Sequence, residues 1–573
     1  MDPTMKSHPT TTLALAAAAA VATAAGCAAP APGPTSGRLA PPARAPEARA
    51  GFAPSESRTN ERLYAETSAL ALAHPNRIQL RALRQSPGDR PIEMLTLAED
   101  VGIADRQPSI LVLAGMDGHR WATTEVALAM VHALARKWPA GLRGVTVNVV
   151  PRGNPDAAAQ FMAGPRRAYS GNSIEHDNDG DGRSEEDPPV DMNGDGLITQ
   201  MRVEREAPPW GAPGWNPDPR DPRLAVRAPK DEPARWCIWT EGYDADADAR
   251  IAEDWPGGVD PERNFPFAWP KEEDESGATA LIAPEAAWLA GLARGNPRMF
   301  AALVLGRHDT VVQLPDGNSQ ASADAPALND PADAEVFGRL AAAFREISGQ
   351  RAAAGESLRG SFAAWLIAQR GIPAFATTLW SCPGAAPGSA GTDPEWLAYS
   401  DSSRGGRGFV PWTRQPHPQL FEVEVGGWVP GFRENPPAEA LPALAESYVR
   451  FLETVGRSRP AIRVDEPTAE SVRPGVWKYR VSLTNTGALP TIMRGARSER
   501  VDSTHVARID GAGLRFPGGR KVLLVPGLDP GEAVDLTWIV EAPPNALVEV
   551  VVLHGGERIA SFPFVDGKRT GGR

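Results

Sequence analysis

Two hydrophobic patterns alternate along most of the chain. Short apolar runs typical of buried strands lie between residues 91 and 380, and segments with apolar residues three and four positions apart lie between them. The strand candidates are PIEMLTL, ILVLAG, GVTVNVVP, FAALVLG and PAFATTLW, and the helix candidates are TTEVALAMVHALARKW and AEVFGRLAAAFREI. Because strands interleaved with helices favour a sheet with helices on its faces, residues 53–455 are predicted to form an α/β domain with a mostly parallel sheet.

Two regions depart from this pattern. Residues 165–270 are rich in Asp, Gly, Pro and Trp, and are predicted to be a loop-like insertion in the α/β domain. Residues 460–567 consist of short strand-like segments separated by Gly and Pro turns, without helical periodicity. This second pattern predicts a small C-terminal β-sandwich of the immunoglobulin-like kind.

The N-terminus has the composition of an export signal. Residues 1–27 contain a short apolar segment that ends at AAGC, which resembles a bacterial lipoprotein signal with lipidation of Cys27. A plain secretory signal is the alternative. Residues 28–52 are rich in Pro and Ala, as expected of a flexible tether. We therefore expect a protein of the bacterial cell envelope, on the periplasmic or outer-membrane side, that contacts the membrane only through a lipid anchor.

The net charge and the cysteine content of the chain argue against several classes of protein. The chain of 573 residues has a formal net charge of −12, which argues against general nucleic-acid binding. Its three cysteines are too few for a disulfide scaffold, and no C-x-x-C pair indicates structural zinc. Whether Cys237 and Cys382 form a disulfide stays open at this stage.

Three acidic segments within residues 165–270 predict calcium binding. Oxygen-bearing side chains at alternate positions before a glycine allow a tight loop to wrap a hard cation, and the first two segments contain the D-x-[DN]-x-D-G core of such loops. The candidate ligands are Asp177, Asp179, Asp181, Asp187, Asp191, Asn193, Asp195, Asp244, Asp246, Asp248 and Asp254. The alternative is that these are acidic turns held by Asx hydrogen bonds. We expect a structural calcium ion that stiffens the insertion.

Four further motifs, in order along the chain, resemble the zinc metallocarboxypeptidases of the carboxypeptidase A type. The motifs are GNPDA (153–157), GGVDPERNFPFAW (257–269), GIPAFATTLW (371–380) and HPQLFEVEVGGW (417–428). The resemblance covers residues 60 to 450 and implies a carboxypeptidase-like mixed sheet flanked by helices. It also implies zinc as the cofactor and the carboxyl ends of peptides, or cell-wall peptides, as the ligands.

The residues at the family's catalytic positions are different. The resemblance implies a G-x-H-x-x-E turn with two zinc ligands, a later histidine as the third ligand, and a glutamate as general base. Asp117 and Arg120 stand at the first two ligand positions, and His308 lies close to the third. Thr378 stands at the position of the base. Because arginine stays protonated and offers no lone pair, these replacements predict a pseudo-peptidase that binds peptides without hydrolysing them.

An active zinc carboxypeptidase with displaced ligands is the alternative function. Its zinc site would consist of His119, Glu125 and His308. His119 and Glu125 are six residues apart and therefore do not share a helix face. The competing interpretation places His119 in a hydrogen-bonded turn and Glu125 as a first-turn charge favoured by the helix dipole.

Recognition of the substrate carboxylate is partly retained in the sequence. Arg263 and Asn264 match the Arg-Asn pair of the family motif, and Arg202 is the candidate for a second arginine. A structural ion pair is the alternative role for Arg263.

Overall fold

A six-stranded mixed sheet forms the centre of the α/β domain in the part of the chain that the computed structural model describes. That part comprises residues 52–56, 58–177, 182–204, 214–229, 232–247, 250–252, 254–255, 257–271, 273–312, 314, 330–499 and 505–571. The strands up to residue 428 are β1 (Ile78–Gln85), β2 (Pro91–Leu97), β3 (Ser109–Leu113), β4 (Thr146–Val150), β5 (Gln200–Glu204), β6 (Gly214–Asp218), β7 (Asp221–Arg227), β8 (Trp236–Thr240), β9 (Met299–Leu305), β10 (Ala374–Thr377), β11 (Phe409–His417) and β12 (Phe421–Trp428).

The strand order in this first sheet is β1-β2-β4-β3-β9-β10. The pairs β4–β3, β3–β9 and β9–β10 are parallel, whereas β1–β2 and β2–β4 are antiparallel. The α/β fold with a mixed sheet is confirmed. The sheet is less parallel than the apolar runs suggested, because β1 and β2 are joined by a turn too short for a crossover connection.

Helices cover this sheet. They are α1 (Asn60–Ala73), α2 (Ala122–Arg136), α3 (Pro155–Ala163), α4 (Pro284–Gly295), α5 (Pro331–Ser348), α6 (Phe362–Trp365), α7 (Asp393–Ser403) and α8 (Leu441–Ser458). Strands β3 and β4 are buried at every position, as expected for parallel strands with helices on both faces. Helix α2 is buried on nearly all sides and contacts α8, so its start is held in a fixed position.

The insertion at residues 165–270 is not simply a loop, as its composition suggested. It contributes β5, β6, β7 and β8 to a second sheet of order β11-β12-β5-β8-β6-β7. Strand β5 pairs with β12, whose residues lie more than two hundred positions later in the chain. Such long-range pairing is decided by neighbouring strands rather than by local preference, so composition alone did not reveal it.

The C-terminal part consists of two antiparallel sheets in the described residues. Its strands are β13 (Ile462–Val464), β14 (Thr468–Arg473), β15 (Val476–Asn485), β16 (His505–Asp510), β17 (Arg515–Gly518), β18 (Val522–Leu524), β19 (Ala533–Glu541), β20 (Leu547–His554), β21 (Glu557–Val565) and β22 (Lys568–Arg569). One sheet has the order β13-β15-β19-β17, with β14 beside β15, and the other has the order β18-β16-β20-β21-β22. The all-β prediction is confirmed, and the immunoglobulin-like topology stays a prediction.

Two sequence questions are answered by the fold. Cys237 and Cys382 are both buried and are not joined in a disulfide. Among the described helices, none is long and apolar enough to cross a membrane. Cys27 and the proposed signal and tether lie outside the described residues.

Candidate functional site

Three loops meet at the carboxyl ends of the neighbouring strands β3, β9 and β10. The first carries Asp117 and Arg120 and leads into α2, the second carries Arg307 and His308, and the third begins at Thr378. Crevices at this edge of a parallel sheet are common ligand sites in α/β proteins. The strand order therefore brings together most of the residues that the sequence placed at catalytic positions.

Asp117 is the centre of a buried group of charges. Its side chain is 1% exposed, and Ser170 donates a hydrogen bond of 2.7 Å from Oγ to Oδ1. The guanidinium of Arg307 is in ion-pair contact with Oδ1, and Arg120 Nε lies 3.6 Å from Oδ2. Burial alone would raise the pKa of Asp117, but the charges of Arg307 and Arg120 lower it below the ordinary value.

Arg307 joins Asp117 to a second buried carboxylate, Asp260. Arg307 Nη2 lies 2.7 Å from Asp260 Oδ2, and the Arg307 side chain is 5% exposed. Burial raises the pKa of Asp260 to about 7, with Arg307 opposing the shift and Asp117 adding to it. The two acids hold the pKa of Arg307 well above its ordinary value, although burial acts in the opposite direction. Arg307 is therefore a permanent cation between two acids.

Arg120 and Glu356 close this group on the solvent side. Arg120 Nη2 donates a 2.7 Å hydrogen bond to Glu356 Oε1. Glu356 Oε2 lies 3.9 Å from Arg307 and 3.9 Å from Arg263. Glu356 lies in the loop between α5 and α6 and is exposed, so it is the member of the group that water reaches most easily.

Arg263 is surrounded by acids. Its guanidinium contacts Glu273 and lies 3.3 Å from Asp260 and 3.6 Å from Glu275. Asn264 makes structural hydrogen bonds, because its Nδ2 donates to the carbonyls of Ser276 and Thr279. This geometry favours the ion-pair role for Arg263 over the predicted contact with a substrate carboxylate.

Arg202, the candidate second arginine, lies in β5 of the second sheet. Its guanidinium lies over the rings of Trp236 and Trp412, at 3.9 Å and 4.2 Å from their centroids. Arg202 Nε donates a 2.8 Å hydrogen bond to Glu424. Because these partners occupy its guanidinium, the structure gives Arg202 a packing role and not the predicted substrate contact.

Each of the three alternative zinc ligands contacts a different group of the protein. His119 Nδ1 lies 3.3 Å from the carbonyl of Tyr169, and burial together with Arg120 lowers the pKa of His119. Both carboxylate oxygens of Glu125 accept hydrogen bonds from Arg58, at 2.6 Å and 3.0 Å. His308 Nε2 lies 3.3 Å from Glu262. The predicted set of His119, Glu125 and His308 is therefore wrong as a site, because Glu125 faces the chain that precedes α1.

Thr378 is a buried neutral residue at the position of the family's base. Its backbone carbonyl accepts a 3.2 Å hydrogen bond from Gln350 Nε2, and its hydroxyl lies 3.4 Å from the same nitrogen. A threonine hydroxyl has no pKa suited to accepting a proton from water near neutral pH.

In the acidic segments, side-chain oxygens accept hydrogen bonds from backbone amides. Asp191 accepts hydrogen bonds from the amides of Gly194, Asp195 and Gly196, and Asp244 accepts one from Ala247. Asp187 is 1% exposed and accepts from Ala245 and Ala252, which fastens the first acidic segment to the third. The candidates Asp179, Asp181 and Asp248 lie outside the described residues.

This geometry matches the Asx-turn alternative, and the calcium prediction gains no support. In the described part of the chain, no three His, Cys, Asp or Glu side chains form a group suited to a metal ion. Asp177 also accepts from a backbone amide, that of Gly182, at 2.9 Å, and Asn193 accepts from Asp195 at 3.0 Å.

Comparison with known proteins supports the family resemblance. Residues 63–178, which include the Asp117 turn, match the family described as "Zinc carboxypeptidase". The matched segment of the α/β domain is similar to the zinc carboxypeptidases. Residues 461–560 match a family described as a domain of unknown function. A search of curated proteins finds no match.

Several solved structures are similar to this chain at low identity. Bovine thrombin-activatable fibrinolysis inhibitor is 11% identical, with 70% of this chain and 96% of that chain covered and a TM-score of 0.38. Carboxypeptidase A from Helicoverpa armigera is 14% identical, with 59% and 68% covered and a TM-score of 0.34. A metallo-carboxypeptidase from Burkholderia cenocepacia is 12% identical, with 69% of each chain covered and a TM-score of 0.31.

Zinc, which the matched family implies, does not fit the residues of this chain. The carboxylate at the first ligand position, Asp117, is already paired with Arg307, and Arg120 stands at the second. A Zn²⁺ ion about 4 Å from a guanidinium would be repelled by several kcal/mol at an effective dielectric constant of ~20. His308, close to the third ligand position, lies 3.3 Å from Glu262 through Nε2.

Three members of the charged group were missed by the sequence analysis: Arg307, Asp260 and Glu356. Arg307 directly follows the predicted strand FAALVLG and Asp260 lies within the motif GGVDPERNFPFAW, but arginine is unsuited to bind a metal and Asp260 matches no position of the predicted zinc site. The position of Arg307 directly after a strand at the same sheet edge as the Asp117 turn was the available signal, whereas Asp260 lies in the segment that precedes α4. Glu356 lies in an irregular loop and had no such signal.

Proposed function

We propose that the α/β domain is a non-hydrolytic relative of the carboxypeptidases that binds peptides. The observation that carries this proposal is the Arg307 guanidinium, which lies between Asp117 and Asp260 where the family places its metal ligands. Peptide hydrolysis in this family depends on a metal-activated water and a carboxylate base. Here a protein cation takes the place of the metal, and Thr378 takes the place of the base.

The charge balance of the group supports this proposal. Two buried carboxylates face one buried guanidinium, and Arg120 and Glu356 add a further pair at the rim. Displacing Arg307 would remove the cation that the two buried acids share and leave Asp117 with Arg120 at 3.6 Å and Asp260 with Arg263 at 3.3 Å, which is unfavourable for buried carboxylates. The ion cluster is therefore a stable alternative to a metal site.

Peptide binding is supported by the family relationship and by a cavity beside the Asp117 turn. This cavity is lined by Trp121, which follows Arg120, and by Trp380, which follows Thr378 by two residues. Aromatic side chains at such positions provide apolar contact area for a ligand.

The protein is also proposed to be a lipid-anchored component of the bacterial envelope. The support is the AAGC sequence at Cys27 and the Pro/Ala-rich segment after it. Replacement of Cys27 by Ala in the producing cells tests this proposal. Release of the protein from the membrane fraction is expected, and unchanged membrane association of Cys27→Ala would contradict it.

The central experiment measures metal, hydrolysis and binding on one protein preparation. We expect zinc far below one equivalent after incubation with zinc and gel filtration. We also expect a pool of peptides to keep its lengths while some members co-elute with the protein. One equivalent of zinc together with shortened peptides would overturn the pseudo-peptidase proposal. Unchanged peptide lengths without any retained peptide would overturn the binding part alone.

A further inference from the structure

A different cavity lies at the other end of the first sheet from the Asp117 turn, and its volume is about 520 Å³. It is lined by the first residues of β3 and β4, Ser109 and Thr146, and by Arg298, which precedes β9. The turn between β20 and β21 adds Gly555, so the cavity lies where the α/β domain meets the C-terminal sheets. Cavities of roughly 300–1,000 Å³ hold small-molecule ligands, and they occur preferentially where domains meet.

The floor of this cavity is polar, although it belongs to two inner strands of the sheet. Thr96 of β2 and Asn148 of β4 are direct neighbours across the two strands, and they are 2% and 7% exposed. Thr146 lies on the same face of β4 as Asn148, whereas the alternate residues Val147 and Val149 face the other side and are fully buried. Because burying polar groups without partners is unfavourable, this face indicates a cavity whose contents are polar.

The polar side chains of the floor offer both donors and acceptors of hydrogen bonds. Thr96 Oγ1 donates a 2.9 Å hydrogen bond to Asn148 Oδ1, and Thr146 Oγ1 donates one of 2.8 Å to a backbone carbonyl of the segment before β3. Each hydroxyl oxygen therefore keeps lone pairs for a further partner. Within the residues that the structure describes, Asn148 Nδ2 donates to no protein atom. Ser109 Oγ accepts from Asn296 Nδ2 at 2.9 Å and keeps its own proton to donate.

The charged residues that line the cavity neutralise one another. Arg298 Nη2 lies 3.1 Å from Glu557 Oε2, and Arg81 Nη2 lies 3.3 Å from Asp105 Oδ1. Among the described residues, the lining thus has two cations and two anions and carries no net charge. A charged ligand would have to break one of these pairs to gain a partner, and a buried charge without a partner is unfavourable. The lining therefore favours an uncharged ligand.

The C-terminal turn is fastened over the cavity by one arginine. Arg298 Nη2 donates a 3.1 Å hydrogen bond to the carbonyl of His554, and its Nη1 donates to the carbonyl of Arg106. Gly555 has a φ of +54°, and a Cβ there would lie 3.0 Å from Pro297 Cγ, so the turn lies directly against the segment before β9. One guanidinium thus joins the C-terminal turn to two segments of the α/β domain, and the cavity is a preformed feature of the fold.

We propose that this cavity binds a neutral polyhydroxylated molecule of the hexose class, whose hydroxyl groups accept from Asn148 and donate to Thr96 and Thr146. A sugar hydroxyl both donates and accepts, so several of them on one ring match a floor of uncharged donors and acceptors. Met94 and Leu292 supply apolar surface for the CH groups of the ring. The site is independent of the proposed peptide-binding function and adds a second ligand class to the protein.

The test measures binding of glucose, galactose and mannose to the full chain by ligand-observed NMR titration. Cyclohexanol, a ring with one hydroxyl group, and the uronate of each sugar are the matched probes. We expect at least one of the three sugars to bind at millimolar concentration. Cyclohexanol should bind at least tenfold more weakly than that sugar, because several hydrogen bonds would be lost. Its uronate should also bind at least tenfold more weakly, because its charge finds no unpaired partner.

Asn148→Leu and Thr96→Val remove hydrogen-bonding groups with little change in volume, and each should weaken the sugar at least tenfold while cyclohexanol binding stays the same. Thr468→Val, at an exposed position of β14, is the control. No binding of any of the three sugars, or equal binding of a sugar and cyclohexanol, would overturn the proposal. A uronate that binds as well as its sugar would overturn the neutral ligand class. These comparisons of probes use the wild type alone, so they decide the question even if a floor variant fails to fold.

Discussion

The guanidinium of Arg307 lies against the carboxylate of Asp117, and both side chains are almost completely buried. The same guanidinium reaches Asp260 at 2.7 Å. The three side chains come from the loops after β3 and β9 and from the segment that precedes α4, so they join parts of the chain distant in sequence. A charged group of this kind holds the sheet edge together only while all its members are present.

Removal of Arg307 is expected to destabilise the α/β domain. Arg307→Ala leaves Asp117 and Asp260 without their shared cation, and the loss of one partner from a buried pair costs about 3–5 kcal/mol. Chemical denaturation followed by tryptophan fluorescence measures this change. Adding Asp117→Asn should recover part of the loss, because it removes one of the two buried negative charges that Arg307 balanced, while Ser170 can still donate to the remaining oxygen.

Arg81→Ala is the matched control for that measurement. Arg81 is an exposed arginine of β1 that lies 3.3 Å from Asp105. Exposed pairs contribute about 0–1 kcal/mol, so the control should change stability little. Equal effects of Arg307→Ala and Arg81→Ala would contradict the role given to the buried cluster.

Asp187 is expected to hold the acidic segments together without a metal. Its two oxygens accept hydrogen bonds from the amides of Ala245 and Ala252, at 2.9 Å and 2.8 Å. Asp187→Ala leaves both buried or half-buried amides unpaired, at about 1–3 kcal/mol each. Limited proteolysis should therefore cut near residues 243–255 faster in this variant, whether or not calcium is present.

Asp195→Ala serves as the comparison, because Asp195 is exposed and accepts two local hydrogen bonds, from the amide of Leu197 at 2.9 Å and from Asn193 Nδ2 at 3.0 Å. Its cleavage rate should stay close to that of the wild type. Protection of the wild type by calcium, lost in Asp187→Ala, would instead support the calcium prediction made from the sequence.

Apolar runs predicted the first sheet well, because strands buried on both faces leave a continuous signal. The segment PIEMLTL coincides with β2, and ILVLAG contains all but the first residue of β3. The second sheet was missed because β5 is only five residues long and its partner β12 lies far along the chain. The local sequence of a strand does not show which distant strand pairs with it.

The sequence predicted where the site lies in the fold, but it did not predict which side chains contact one another there. The turn at Asp117 and Arg120 and the base position at Thr378 were identified by matching motifs, and each lies at the expected strand end. Arg307 was not predicted to belong to the site, because its role depends on the direction of a long side chain and not on its place in a motif. The contacts that Arg202 and Arg263 make with protein rings and acids were not predicted for the same reason.

Gly118 is expected to be required for the geometry of the Asp117 turn. A Cβ at Gly118 would lie 2.2 Å from the carbonyl oxygen of Ala157, a backbone atom of α3 that has no room to move aside. Gly118→Ala should therefore destabilise the domain by about 1–3 kcal/mol, the usual range for overpacking.

Gly291→Ala is the matched control for the turn variant. Gly291 lies inside α4, and a Cβ there would meet no atom within 4 Å. Because alanine favours helices, this substitution should stabilise the protein by about 0.5–1 kcal/mol. A Gly118→Ala protein as stable as Gly291→Ala would show that the turn can move away from α3.

Glu285 is expected to make stability depend on pH. It lies in the first turn of α4 with no exposed surface, and its Oε2 accepts a 2.8 Å hydrogen bond from Asn172. Burial raises the pKa of Glu285 to about 7 from 4.5. A raised carboxyl pKa means that the folded state binds the proton more tightly, so this contribution is complete below pH 4.5 and is lost as the pH rises through 7.

Glu285→Gln removes this ionisation and keeps an oxygen that can accept from Asn172. The stability of the wild type relative to this variant should fall by up to about 3 kcal/mol between pH 5 and pH 8, since one pKa unit corresponds to about 1.4 kcal/mol. Thermal unfolding of both proteins across that range measures the difference, with Glu422→Gln on the exposed face of β12 as the control. A constant difference between wild type and Glu285→Gln would mean that Glu285 stays ionised in the folded protein, and its unpaired Oε1 would then have to be in contact with water.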